Sequence, residues 1–172
     1  MSVVIRPRTE EDIPALAQVL VRVHEKDGYP VEGVADPEAW LRSDRMLGAW
    51  VAELDGRPVG QVMLAEPGEG DEAARMLANR DGIALNEIAV MCRLFVDPNS
   101  RGQRIGKELI DAAVAPERCL GRHLVLDVMQ KDSSAIRLYR RIGWKELGSF
   151  THEFYLGSAS ALAFCFSKQE AS

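Results

Sequence analysis

Arg101-Gly102-Gln103-Arg104-Ile105-Gly106-Lys107 is the stretch that decides how this chain is read. It follows the apolar run Ile88 to Val96 and the breaker Asp97-Pro98-Asn99-Ser100, and it leads into Glu108-Leu109-Ile110-Asp111-Ala112-Ala113. In order, these segments predict a strand, a tight turn and a helix start carrying three cations. A helix N-terminus exposes unpaired backbone N–H groups and the positive end of its dipole, so it seats phosphate well. Arg101, Arg104 and Lys107 add full charges around that seat, and the glycines let the backbone approach a ligand closely. A ligand carrying phosphate is expected here.

Two common phosphate loops do not fit. A Walker loop needs four residues between its glycines and a Ser or Thr after its lysine. Here Gln103, Arg104 and Ile105 alone separate Gly102 from Gly106, and Glu108 follows Lys107. The dinucleotide fingerprint G-x-G-x-x-G is missing as well. The segment resembles the acyl-CoA pyrophosphate loop of the GNAT family of N-acetyltransferases, R/Q-x-x-G-x-G/A. Arg101 and Gly106 match its first and last positions, while Arg104 stands where a middle glycine is usual. The departure leaves the loop backbone open, although an arginine is free of strain there if its φ/ψ is already helical.

A second segment carries the same resemblance. Asp132-Ser133-Ser134-Ala135-Ile136-Arg137-Leu138-Tyr139-Arg140-Arg141-Ile142-Gly143-Trp144 is similar to the family's later N-x-x-A-x-x-L-Y-x-x-x-G-F. Ala135, Leu138, Tyr139 and Ile142 share one helical face by spacing. Asp132 or Ser133 supplies the N-cap and Gly143 the stop. Asp132 replaces the frequent asparagine, and Trp144 the usual phenylalanine. The strand-like run Leu124 to Met129 lies between the two motifs, which together occupy about the second half of the chain.

Composition is consistent with this. At 172 residues and 47% hydrophobic, the chain has enough apolar mass for one domain over residues 1–172 with a proper core. Its three cysteines, Cys92, Cys119 and Cys165, show no framework spacing and sit in apolar contexts, as reduced residues of a cytoplasmic protein would. Residues 1–8 are too short and polar for a signal segment, and no run reaches membrane-spanning length. A net charge of −5 and a pI near 5.3 argue against a general binder of nucleic acid or anionic membranes.

Along the chain, Val3 to Arg6 is predicted as a strand. A helix follows, capped by Asp12, with Ile13, Leu16, Ala17, Leu20 and Val21 on its apolar face, ending near Asp27-Gly28. Asp36 to Met46 reads as a second helix. Trp50 to Leu54 and Val59 to Leu64 flank Asp55-Gly56, a hairpin signal. Glu72 to Ala78 is expected as an inserted helix. Lys145 to Tyr155 and Ala161 to Phe166 are predicted as two closing strands around Gly157-Ser158. The fold class is α/β (α+β), and the resemblance implies a mixed, mostly antiparallel central sheet with helices on both faces. It also implies that the strand before the loop splays from the next one, with the pantetheine arm lying in the gap.

The resemblance implies an acetyl-CoA-dependent N-acetyltransferase acting by direct transfer on a primary amine of a small molecule or peptide. It assigns Arg101, Gly102, Gln103, Arg104, Ile105, Gly106 and Lys107 to the cofactor and the backbone of Leu94, Phe95 and Val96 to its arm. Asp132 and Tyr139 are added to the cofactor contacts. Tyr139 matches the position that protonates the departing thiolate in many relatives, and a phenol pKa of roughly 10 lies close to a thiol's roughly 8.5. Glu87, opening the strand at Ile88, is the candidate base, although a bulge would switch the face it occupies. Asp127, His123, His152 and Glu153 are the alternatives. Cys92 beside the expected acyl group raises a covalent route, which its apolar neighbours Val90 and Leu94 disfavour. The histidines, His24 included, show no metal-ligand spacing, so no metal is expected. Expected partners are acetyl-CoA and an amine, with neither nucleic acid nor membrane; pairing of two copies stays open. The competing reading is a non-catalytic acyl-CoA-binding sensor or interaction module. Acceptor identity was expected to rest on the variable loops Tyr29–Asp36, Glu66–Asn86 and Thr151–Ser160.

Overall fold

Asp55 and Gly56 have φ of 54° and 78°, both left-handed, as a two-residue type I′ turn requires. They join β2 (Met46–Leu54) to β3 (Arg57–Ala65), which pair antiparallel from Leu54↔Arg57 to Met46↔Ala65. The computed structural model describes residues 2–115, 117–154 and 157–166. Hydrogen-bonded strands follow the order β1-β2-β3-β4-β5-β7-β6, a mixed sheet that is mostly antiparallel. The chain divides into two units. One runs through Ala65 and takes Arg93–Ala113; the other takes Glu66–Cys92 and the chain from Val114 onward.

In the first unit β1 (Val3–Pro7) pairs antiparallel with β2. Asp12 is only 5% exposed and precedes α1 (Ile13–Asp27). Its carboxylate turns back to the Thr9 N–H at 2.8 Å and to Arg6 at 2.6 Å, so it knits the entry turn to β1. Proline occupies the second position of α1, where its missing N–H costs nothing. Gly28, φ 71°, ends the helix with its N–H on the His24 carbonyl at 2.8 Å. Ile13, Leu16, Ala17 and Leu20 are buried as their spacing predicts; Val19 and Val23 join them, and Val21 is only half-buried. This face packs with Leu41, Val51 and Phe95.

The second helix is much shorter than expected. α2 covers Pro37–Trp40, opened by the Asp36 carboxylate accepting from the Ala39 N–H at 3.1 Å. Met46 instead starts β2, where a ladder to Ala65 outweighs the weak helical signal of Leu41 to Arg45.

In the second unit α3 (Glu72–Asp81) runs three residues beyond Ala78 and stops at Gly82, φ 67°. Its Ala73, Ala74 and Leu77 pack on Ile88, Val90, Val125, Ala163 and Cys165. Here β5 (His123–Met129) pairs parallel with the start of β4 (Ile88–Val96) and antiparallel with β7 (Gly157–Phe166). β7 pairs with β6 (Lys145–Phe154), so Gly157-Ser158 lie in a strand rather than a turn; the predicted strand residue Tyr155 lies outside the described residues. No helix among the described residues is long and apolar enough to cross a membrane.

Candidate active site

The segment after β4 forms a loop with unusual backbone. Asp97 opens a 3-10 turn over Pro98–Ser100, its carboxylate accepting from the Asn99 N–H at 3.0 Å and from Arg22 at 2.7 Å. Burial pushes the Asp97 carboxyl up, but the Arg22 and Asn99 hydrogen bonds and the Arg22 and Arg101 charges outweigh it and hold it below its usual value. Gly102 and Arg104 then take left-handed φ of 84° and 62°, and α4 (Ile105–Val114) begins. The Glu108 N–H reaches the Arg104 carbonyl at 3.1 Å. The amides of Ile105, Gly106 and Lys107 precede that first helical bond, so helix geometry leaves them pointing outward. Left-handed residues set among such amides make an anion-binding concavity.

Arg104 does not sit in helical φ/ψ; it is a left-handed residue just outside α4, where a glycine would be unstrained. Its side chain is exposed and makes no ion pair among the described residues. The other two cations have acidic neighbours. Arg101 pairs with Asp27 at 2.7 Å and donates to the Val96 carbonyl at 3.3 Å. Lys107 pairs with Asp111 at 2.7 Å, one turn along α4. Gln103 donates to the Ser100 carbonyl at 3.2 Å. Gly106 has an ordinary φ, and a Cβ built there meets nothing within 4 Å. No feature of the chain itself demands glycine at 106, so its bareness leaves room for something outside the chain.

Leu94–Val96 precede this loop at the end of β4. Arg93 has φ of 54°, a left-handed residue within the strand. Gln61 of β3, fully buried, donates to the Arg93 carbonyl at 3.0 Å and accepts from Arg8 at 2.8 Å. Gly60 lets the strands close up: a Cβ there would lie 2.6 Å from the Phe95 carbonyl. Leu94 and Val96 are half-buried, while Phe95 is buried in the α1 core. Sequence reading missed Arg8, Gly60, Gln61 and Arg93. The available signal was a glutamine beside a glycine in an otherwise apolar strand. The ladder from β4 to β5 covers Ile88–Val90 only, although β5 continues to Met129 against β7.

The other named residues belong to the second unit. Tyr139 lies in α5 (Ser133–Arg141), 7% exposed, with Trp144 edge-on at 5.8 Å and Phe164 at 6.0 Å. Burial, then the charges of Asp127 and Asp132, push its phenol well above the usual range, so it stays protonated at neutral pH. Ile136, rather than Ala135, Leu138 or Ile142, is the other buried residue of α5. Asp132 occupies the N-cap position, yet its carboxylate accepts from Lys131 at 3.1 Å and makes no capping bond. Glu87 ends a 3-10 turn, Leu85–Glu87, and is exposed. It precedes β4 and lies in this turn rather than in the strand, so strand alternation does not set its face. His152 and Glu153 lie in β6 and His123 and Asp127 in β5. Cys92 is half-buried and packs against the α3 core, which fits a structural thiol.

Residues 13–144 match the acetyltransferase (GNAT) family. The chain belongs to that family. Among curated relatives, an uncharacterized N-acetyltransferase of Methanocaldococcus jannaschii is 33% identical over 108 residues, 62% of this chain. The match spans 43% of that relative, so the chain covers less than half its length. Solved structures share the fold at lower identity. Staphylococcus aureus N-acetyltransferase has a TM-score of 0.72 at 16% identity, with 98% of this chain and 99% of that one covered. Arabidopsis thaliana NAA60 in complex with acetyl-CoA has 0.69 at 20%, covering 96% and 98%. Escherichia coli ribosomal-protein-S18-alanine N-acetyltransferase has 0.69 at 18%, covering 96% and 93%.

Proposed function

We propose that this GNAT protein transfers an acetyl group from acetyl-CoA to a primary amine of a small molecule or peptide by direct attack. The observation that carries this reading is the loop after β4. Two left-handed residues, outward amides at the start of α4 and a bare Gly106 form a seat whose backbone amides and cations suit a pyrophosphate. A neighbour of the same fold holds acetyl-CoA, which supports the choice of donor.

In this mechanism the loop 101–107 holds the diphosphate, with Arg101, Arg104 and Lys107 adding charge, and backbone groups of Leu94–Val96 bond the pantetheine arm. Asp132 is a further cofactor contact. The amine nitrogen attacks the thioester carbon, and a strand N–H near Val96 stabilises the oxyanion. The C–S bond then breaks, the thiolate leaves and is protonated by water, and the amide nitrogen loses its extra proton. Tyr139 serves the sulfur. With its phenol raised so far, complete proton transfer to a thiolate of ordinary pKa runs uphill, so its main contribution is a hydrogen bond to the developing charge. Glu87, exposed and hydrated, takes the amine proton through an ordered water.

The test measures free thiol released from acetyl-CoA with a mixed pool of primary amines, alongside CoA binding. Amine-dependent thiol release supports the reading. CoA binding without release would make the chain a binding module, and absence of both would remove acetyl-CoA altogether. With an active protein, Glu87→Gln should lower turnover by roughly 10²-fold or more, most at pH values below the amine pKa, where deprotonation is hardest. An unchanged pH–rate profile would exclude Glu87 as the base.

A further inference from the structure

Half-buried arginines in this chain usually meet carboxylates. Arg6 pairs with Asp12 and Glu53, Arg22 with Asp97, and Arg122 with Glu66. Arg8 and Arg93 break that pattern: neither makes an ion pair among the described residues. Arg8 donates to the Leu41 carbonyl and the Gln61 side-chain oxygen, both at 2.8 Å, and reaches the Met46 sulfur at 3.5 Å. Arg93 lies over the Trp40 ring at 5.3 Å and reaches the Met63 sulfur at 3.4 Å and the Arg42 carbonyl at 3.5 Å. Every one of these acceptors is neutral.

Like charges also gather here. Burial lowers the Arg8 value, Glu10 and Asp12 work against that, and the Arg42 and Arg93 charges lower it further. Only Arg42 has acids of its own, Glu10 at 3.3 Å and Glu38 at 3.9 Å. A chain with net charge −5 has carboxylates to spare, yet none among the described residues forms an ion pair with Arg8 or Arg93. A guanidinium out of bulk water without a counter-charge is costly, and its planar fork suits carboxylate and phosphate oxygens. Arg93 directly precedes Leu94–Val96, and the Trp40 ring beneath it packs with Tyr29 at 5.8 Å and Phe95 at 6.2 Å. The cation is thus anchored on an aromatic wall beside the strand assigned to the acyl arm.

We propose that Arg8 and Arg93 bind an oxyanion, a carboxylate or a phosphate ester, on the acceptor, which is therefore a small amine carrying a negative group. This rests on the acetyltransferase reading above. The experiment compares three amines of similar length: 3-aminopropanoate, O-phosphoethanolamine and propylamine. At least one of the acids should exceed propylamine in kcat/KM by roughly 10- to 100-fold, the worth of one or two charged hydrogen bonds. That preference, read as the ratio of acid to propylamine, should fall about 10-fold in Arg93→Leu, mainly through KM, with partial recovery in Arg93→Lys. The acid that gains distinguishes carboxylate from phosphate. A wild-type ratio near one, or a ratio unmoved in Arg93→Leu, overturns the inference while leaving the acetyltransferase reading intact. If no amine is acetylated, that reading fails, and melting curves without acetyl-CoA still decide the inference. Millimolar acid should stabilise the wild type where propylamine does not, and Arg93→Leu should lose the shift. Equal shifts, or none, overturn it.

Discussion

Arg104→Gly should make the protein more stable while removing a cation from the proposed phosphate loop. Arg104 holds φ of 62°, where a Cβ crowds the following carbonyl at a cost of about 1–2 kcal/mol. Glycine removes that strain but frees the unfolded chain, returning about 0.5–1 kcal/mol. The net gain is about 0.5–1 kcal/mol, or ~1–4 °C in Tm for a chain of this size. Arg104→Ala separates the terms: it removes the same charge and keeps the Cβ, so it should gain nothing. Both variants should weaken CoA binding by a few-fold at low salt, because an exposed charge contributes ~1 kcal/mol or less, and the difference should fade as salt is added. Paired urea titrations and salt-dependent CoA binding provide the readout. Equal stability of the Gly and Ala variants would show that Arg104 carries no left-handed strain and would undo the reading of this loop as a shaped anion seat.

Three further outcomes follow from the same geometry. Gly106→Asp should fold normally, since a Cβ there has open space, yet lose CoA binding through bulk and charge at the diphosphate; retained binding in a calorimetric titration would move the cofactor elsewhere. Tyr139→Phe keeps the ring packed on Trp144 and Phe164 and should lower kcat by about 10- to 10²-fold with CoA affinity unchanged, the low end for a proton donor because burial has weakened this acid; full activity would reduce Tyr139 to packing. Arg6 first, with Thr9 assisting and burial opposing, holds the Asp12 carboxyl below its ordinary value. A depressed folded-state pKa stabilises above the unfolded value of about 3.9 and is lost as pH falls through the folded value, so the wild type should lose more stability below about pH 4 than Asp12→Asn does. Parallel acid unfolding curves for the two proteins would contradict this.

What was legible in the sequence was whatever a local rule dictates. Asp55-Gly56 demands two left-handed residues, and the hairpin sits where that dipeptide puts it. Pro14 and Gly28 bracket α1 because each suits one helix position and few others, whereas Asp12, expected as its cap, makes no capping bond into α1 and turns back to the Thr9 N–H. Pairing partners decide the parts that were misread. Leu41 to Arg45 has no strong preference, so the distant ladder from Met46 to Ala65 ends α2 after one turn. Gly157 and Ser158 look like turn residues, but Phe154 and Glu153 draw them into β7.

The left-handed turn of the backbone at Arg93 was the least legible feature of the candidate site, and it lies in the strand assigned to the acyl arm. Nothing in Met91-Cys92-Arg93-Leu94 marks a left-handed residue, since arginine has no preference for positive φ. The conformation is held from β3, where Gln61 donates to the Arg93 carbonyl and accepts from Arg8. A buried amide in an apolar strand is tolerated only when both ends are bonded, so its cost enforces one arrangement of β4. Gly60 adds a second constraint, because any side chain there would collide with the Phe95 carbonyl. The strand proposed to hold the acyl arm is thus shaped by two neighbouring residues of β3 that no cofactor motif contains. A loop motif records which groups face the ligand, while the polar bonds that position them are scattered through the chain and emerge only when the strands are paired.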